Sequence, residues 1–360
     1  MVRVGITAAA AAAVLALASA ARAEAVGERH LVAHNPTAAL RDAEHRDQVR
    51  VTVWYPAPDN VEEQSLDLGP PDRPLFLVGE AAPDAPFVDT RRRPVILFSH
   101  GFGGTARMMG WFTTNIARMG YVVVAVDHPG NNGLDKMTAP GAVMFWDRPG
   151  DLKAALAAVR DDPAIGPHLD LRRVGVAGFS AGGFTALAAA GAQVNPDRFL
   201  AFCKSHPDDG VCKPQKEFPL TLEQGMAALA SPELAAERAH AGDDHTIPEV
   251  RAAFAIAPAI VQALEPASLA SMRNPVAIIL GDSDPVAPPN TNGGVAARAI
   301  PGAEFKVLPS VGHYDFLSVC TPAAMASVPL CADLKAQQRG THEAALRMAY
   351  QFFARTLGRP

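Results

Sequence analysis

The sequence predicts a doubly wound α/β fold, with a mostly parallel sheet, helices on both faces and an insertion after one central helix. Three observations predict it. Short continuous apolar runs, the mark of strands buried on both faces, alternate with helix-like segments. One of these runs, Arg173-Val174-Gly175-Val176-Ala177, leads directly into Gly178-Phe179-Ser180-Ala181-Gly182 and then into a small-residue run, Phe184 to Ala190. Carboxylates and a histidine then follow later strands in the order serine, acid, histidine.

The elements can be justified in chain order. Met1-Val2-Arg3 supplies a positive start, Ile6 to Ala20 a short apolar core, and Ala21-Arg22-Ala23 an A-x-A site. This reads as a signal peptide over residues 1–23, with the mature chain starting at Glu24. A membrane anchor is the alternative, but the run is short for a bilayer span. Residues 24–360 are expected to form one domain without an integral membrane span, in a periplasmic or secreted protein. Arg50 to Tyr55 alternates like a strand and stops at Pro56, whereas residues 57–90 read as an irregular surface excursion.

Buried strands are expected at Pro94–Ser99, Tyr121–Val126, Ala252–Ile256 and Val276–Leu280, with a last one at Glu304–Leu308. Helices are expected from about Thr105 to Met119, near Asp151–Arg160, and from about His342 to Leu357. The last should turn Leu346, Ala349, Tyr350 and Phe353 to one face. Alternation of this kind gives parallel strands with crossover helices.

Residues 195–249 break the rhythm. They hold a helix-like stretch, Thr221 to His240, interrupted near Pro232. So long a segment reads as a lid or a cleft wall, with a decorative surface helix as the alternative. The four cysteines, Cys203, Cys212, Cys320 and Cys331, admit three pairings. Proximity and loop-like flanks favour Cys203 with Cys212 and Cys320 with Cys331, against buried free thiols.

The net charge of −5 lacks the basic footprint of a nucleic-acid partner. No C-x-x-C or H-E-x-x-H spacing suggests a metal, and no cofactor is expected. What remains points to nucleophilic chemistry. A serine hydroxyl needs a base, and the base needs an orienting group. Glycines around Ser180 allow a strained turn that projects the hydroxyl. Asp284 follows the strand ending at Leu280 and lies further along its loop than Asp282, which is expected to stabilise the loop. His313, in Gly312-His313-Tyr314-Asp315-Phe316, follows the last strand.

The expected set is therefore Ser180 as nucleophile, His313 as base and Asp284 as its orienting acid. An oxyanion would be held by the N–H groups of Ala181 and of Phe102 in His100-Gly101-Phe102-Gly103-Gly104. His100 is expected to brace that loop, and Asp127-His128 to shape a neighbouring one. Phe179 and Tyr314, with Phe102, are expected to line an apolar substrate cleft.

These residues resemble the α/β-hydrolase superfamily. More narrowly, the chain resembles bacterial predicted dienelactone hydrolases and plasma-type platelet-activating-factor acetylhydrolases. The similar stretches are Val53–Pro56, Phe98–Gly104, Gly120–Val123 with Asp127-His128, Gly178–Gly183 and Gly312–Phe316. The resemblance implies an esterase acting on a small-molecule or lipid ester. Two departures stand out. The acetylhydrolases carry their acid after the strand that follows the elbow strand, where this chain reads Ala255-Ile256-Ala257-Pro258-Ala259; dienelactone hydrolases proper use cysteine where this chain has Ser180. A lipid substrate would call for a membrane-facing amphipathic surface, for which Leu222 to Leu234 is the candidate stretch. A hydrolase fold without activity, used as a binding module, is the alternative from another class.

Overall fold

The computed structural model describes residues 25–360, so the expected signal segment lies outside the described residues. In chain order the strands are β1 (Ala25–His34), β2 (Gln48–Ala57), β3 (Gln64–Ser65), β4 (Phe76–Leu77), β5 (Glu80–Pro83) and β6 (Arg93–Ser99). They continue with β7 (Val122–Asp127), β8 (Leu169–Phe179), β9 (Val250–Ile256), β10 (Val276–Gly281), β11 (Glu304–Leu308) and β12 (Val319–Cys320). Ten of them form one sheet in the order β11-β10-β9-β8-β6-β7-β2-β1-β5-β3. The six strands from β11 to β7 are mutually parallel. β2 runs antiparallel to both β7 and β1.

The strand interiors explain this arrangement. Every residue of β6, β7 and β10 is buried, as expected for Val- and Ile-rich strands covered on both sides. Helices Gly110–Arg118 and Gln338–Thr356 pack together on one face, and Arg148–Asp161 and Ala181–Ala189 on the other. An aromatic cluster seals the first face: Phe254 of β9 lies 6.0 Å from Phe112, 6.2 Å from Phe352 and 6.0 Å from Phe353 between ring centres.

Register places the chemistry. Ser99 stands opposite Val126 and Gly178, Phe179 opposite Ile256, Ile279 opposite Ile256, and Gly281 opposite Leu308. The loops after β6, β7, β8, β9, β10 and β11 therefore leave the sheet at one edge. β7 lies on one side of β6 and β8 on the other, so the loops after β6 and β8 diverge at a topological switch point, where open α/β sheets form crevices.

The expected strands are all present, with ends shifted by a few residues. Three features differ from expectation. β1 was not anticipated, yet it pairs with β2 along its whole length, from Ala25 opposite Ala57 to His34 opposite Gln48. Residues 57–90 are not simply a surface excursion: β5 extends the sheet beside β1, and Leu66, Phe76, Val78, Ala81 and Ala82 are buried. The last helix starts at Gln338, and its buried stripe is Ala345, Ala349, Phe352 and Phe353, while Leu346 and Tyr350 sit half-buried.

The segment 195–249 forms helices Pro196–Ser205, Leu222–Leu229 and Pro232–Ala239, with a break just before Pro232, which has no N–H to continue the preceding helix. Thr221 and Gln224 close a reciprocal capping box at the start of the second helix. Cys203 is bonded to Cys212, and Cys320 to Cys331.

His342, on the last helix, stacks on Trp111 at 3.7 Å and donates from Nε2 to the Leu317 carbonyl at 2.8 Å. Burial pushes its imidazole down to about 4. Below about pH 6.5 the unfolded chain takes up a proton there that the folded chain refuses. The contribution of His342 is thus complete above that pH and is lost as the pH falls toward 4, by up to about 3 kcal/mol. Urea unfolding of the wild type and His342→Phe across this window should show a shallower loss in the variant; identical slopes would contradict the assignment.

Candidate active site

Ser180 sits between β8 and the helix Ala181–Ala189 with φ 57° and ψ −119°. A non-glycine residue at positive φ is strained and needs its surroundings to hold it there. The backbone supplies that hold. Ser180 N donates to the Ile256 carbonyl at 2.9 Å, and the Ser180 carbonyl accepts from Gly183 at 2.8 Å and Ala259 at 3.1 Å. The turn closes so tightly that a Cβ on Gly178 would lie 2.1 Å from the Gly182 carbonyl oxygen. One on Gly182 would lie 1.9 Å from that of Ser99. The two motif glycines are thus required by backbone approach.

The Ser180 hydroxyl and His313 Nε2 are 2.8 Å apart, and His313 Nδ1 is 2.6 Å from Asp284 Oδ2. With Nδ1–H donating to the carboxylate, Nε2 is left to accept the serine proton. Asp284 is itself fixed: its Oδ1 accepts from the N–H groups of Val286 at 2.9 Å and Ala287 at 2.8 Å. The structure therefore brings Ser180, His313 and Asp284 together from three loops far apart in sequence. The arrangement is compatible with removal of the serine proton by the imidazole.

Two further carboxylates set the loops. Asp282 Oδ1 accepts from Ser310 N at 2.7 Å, joining the loop after β10 to the loop after β11. Asp315 is fully buried; its Oδ2 accepts from Gly312 N at 2.6 Å and Ala336 N at 3.1 Å, anchoring both sides of His313.

The loop His100–Gly104 lies beside Ser180. A Cβ on Gly101 would fall 3.3 Å from Ser180 Cβ, and Gly103 has φ +60°. His100 braces the loop: Nδ1 donates to the Gly101 carbonyl at 2.6 Å, and Nε2 accepts from His128 N at 3.1 Å. Asn131 Oδ1 holds Gly103 N at 2.8 Å. Arg148, wholly buried, donates to the His100 carbonyl and to Ser99 Oγ.

Beneath this loop lies a second hydrogen-bonded row of serine, histidine and aspartate. Ser99 Oγ and His128 Nε2 are 2.8 Å apart, and His128 Nδ1 donates to Asp151 Oδ2 at 2.8 Å. Arg41 grips Asp151 with two bonds of 2.7 and 2.8 Å. Burial, reinforced by Arg148, pushes His128 down to about 3, so it stays neutral. Although burial opposes ionisation of Asp151, the Arg41 guanidinium holds its carboxyl well below the usual range. Ser99 has no exposed surface, so this row is internal bracing.

Ser180, by contrast, opens on two cavities and, with Phe102, lines both. The larger, ≈ 140 Å³, is apolar and walled by the insertion through Phe199, Leu200, Phe218, Leu222 and Leu229. The smaller, ≈ 70 Å³, is bounded by His313, Tyr314, Phe179, Gln215 and Glu217. Phe179 and Tyr314 thus lie where a cleft was expected, and Phe179 packs 4.9 Å from the His313 ring. The larger cavity, Gln215 and Glu217 were not anticipated. Glu217 sits in Lys213-Pro214-Gln215-Lys216-Glu217, which looks like a solvated loop in sequence. Ala181, the first residue of the helix after Ser180, and Phe102, in the loop after β6, carry the N–H groups expected as oxyanion donors, and Phe102 shares the lining of both cavities with Ser180. Among the described residues no group of three or more His, Cys, Asp or Glu could hold a metal ion.

Residues 96–328 match the model of the alpha/beta hydrolase family. The chain belongs to that family. This α/β-hydrolase is also similar in structure to the ferulic acid esterase from Streptomyces cinnamoneus, with a TM-score of 0.60 and 20% identity. That likeness covers 93% of this chain and 91% of the other. A dipeptidyl aminopeptidase IV candidate from Bacteroides ovatus aligns with a TM-score of 0.45 and 13% identity, over 93% of this chain and 36% of its own. No curated protein matches this α/β-hydrolase in sequence.

The elbow glycine can be tested against an unconstrained one. Gly182→Ala forces a Cβ onto the Ser99 carbonyl and should cost about 2 kcal/mol or more in urea unfolding. Gly340, in the last helix with nothing within 4 Å, should gain up to about 1 kcal/mol on substitution by alanine. Equal effects at the two sites would contradict the packing described.

Proposed function

We propose that this α/β-hydrolase is an exported serine esterase acting on small-molecule carboxylic esters. The observation that carries the reading is the Ser180–His313–Asp284 chain of hydrogen bonds opening on two cavities at Ser180. Ser180 Oγ attacks the ester carbonyl carbon while His313 Nε2 takes its proton. The carbonyl oxygen becomes an oxyanion facing the N–H groups of Ala181 and Phe102. Asp284 holds the imidazole in the required tautomer and favours the imidazolium that forms. The imidazolium gives its proton to the departing alkoxide, leaving an acyl-serine. Water, deprotonated by the same nitrogen, then releases the acid and restores the serine. No cofactor takes part.

Cavity chemistry supports an acyl side that is short or aromatic: the larger cavity is apolar and partly lined by Phe102, Phe145 and Phe199. The lipid-surface alternative needs an outward apolar stripe between Leu222 and Leu234. Instead Leu229 and Leu234 are buried and Leu222 faces the larger cavity, which supports a small-molecule ester. No helix among the described residues is long and apolar enough to cross a membrane. The two disulfides support a periplasmic or secreted location, in line with the signal-like start. We read 195–249 as one wall of the substrate cleft within a single domain.

Labelling with a fluorophosphonate probe and turnover of p-nitrophenyl esters test the reading. Ser180→Ala should lose all labelling and at least about 10⁴-fold in kcat/KM. Asp284→Asn should keep the fold and lose about 10²- to 10⁴-fold in kcat. Full labelling of the Ser180→Ala protein would refute the assignment.

A further inference from the structure

The smaller cavity holds a carboxylate with unused bonding capacity. Glu217 enters it from the insertion, opposite His313 and beside Tyr314. Its Oε2 is shut off from solvent and has no hydrogen-bond partner among the described residues. Its position is not free: a Cβ on Gly103 would lie 2.6 Å from Glu217 Cβ, so the side chain is wedged against the loop that carries Phe102. A buried acceptor left without a donor carries the desolvation cost of that oxygen uncompensated. A ligand that supplies the donor recovers that cost only when bound.

The two cavities divide an ester between them. The apolar one suits the acyl half, and the smaller one, with Glu217 and Tyr314 on its wall, the alcohol half. The donor on that half should be neutral. During acylation His313 becomes a cation facing the same space, and a second cation there would be repelled, whereas a hydroxyl is not. Burial raises the Glu217 carboxyl above its ordinary value, against its own backbone N–H, the nearby His313 and the Tyr314 hydroxyl, which leave Oε2 as the oxygen without a partner. In either protonation state the group can pair with a hydroxyl.

We propose that Glu217 is a specificity-determining residue that accepts a hydrogen bond from a hydroxyl on the alcohol half, so that the preferred substrates are esters of polyols or sugars rather than of simple alkanols. The inference rests on the serine-esterase reading of Ser180.

The test uses acetates that differ only in the alcohol: 2-hydroxyethyl, propyl and 2-(trimethylammonio)ethyl. The wild type should favour the hydroxyethyl over the propyl ester by about tenfold or more in kcat/KM. Glu217→Leu should bring that ratio near one, and Glu217→Gln, which keeps a carbonyl acceptor, should retain part of it. If the leucine variant fails to fold, the glutamine variant decides, since an unchanged ratio there would count against the carboxylate. A wild-type ratio near one, or a Glu217-dependent preference for the trimethylammonio ester, would overturn the proposal. Fluorophosphonate labelling separates the two levels: a labelled wild type with a ratio indifferent to residue 217 sinks this inference alone, and an unlabelled wild type sinks the reading beneath it.

Discussion

Everything at the sheet edge depends on one crowded turn. The chain reverses from β8 into its helix so closely that Gly178 and Gly182 touch carbonyls where any side chain would collide. That approach, with the backbone bonds of Ser180 to Ile256, Gly183 and Ala259, holds Ser180 at positive φ. It also presses the turn against the end of β6, whose continuation is the glycine loop at His100–Gly104. A nucleophile and its oxyanion donors must keep a fixed separation through the reaction. In this chain the distance between Ser180 and the glycine loop is set by backbone meeting backbone, which has no rotamers to relax into. The partners arrive by register: parallel strands ending level deliver Asp284 and His313 to the same rim, and Asp282 and Asp315 tie their loops down.

Polar chemistry under the glycine loop shows how far environment outweighs residue type. Ser99, His128 and Asp151 repeat the hydrogen-bond pattern of Ser180, His313 and Asp284 at nearly the same distances. One row is sealed, its histidine kept neutral by burial and its aspartate paired with Arg41. The other opens on two cavities. Buried charge of this kind is costly unless fully bonded. Arg148 is fastened by bonds to the Thr185 hydroxyl, the Ser99 hydroxyl and the His100 carbonyl, so loosening it would be felt directly in the loop that carries Phe102.

How much of this was legible in the sequence follows from which forces act locally. Strands such as Val122–Asp127 announce themselves because burial on both faces demands an unbroken apolar run. The elbow is legible because only glycine fits its contacts. Asp284 and His313 could be singled out because strand ends fix where loops emerge, and the structure brings them beside Ser180. β1 was missed because Ala25-Val26-Gly27-Glu28-Arg29-His30 mixes polarity: Glu28 is buried by bonding Trp54 at 2.8 Å, a partner that only the fold provides. The structure within 57–90 was missed for a related reason, since Ala82 of β5 is paired beside β1 and Phe76 of β4 beside β12, partners that lie far away in sequence. Glu217 was invisible because a charged loop residue reads as solvated until its neighbours are known.

The Cys203–Cys212 bridge gives the molecule a divided assembly. Both cysteines line the larger cavity, on a segment with little sheet structure of its own. Ser180, by contrast, sits between β8 and the helix Ala181–Ala189, neither of which holds a cysteine. A chain folded under reducing conditions would therefore leave this wall of the larger cavity unfastened while the turn at Ser180, built from glycine contacts, forms as before. On the esterase reading, oxidation then becomes a maturation step for the cavity wall, and preparations differing only in their thiol history would differ in which acyl groups they accept.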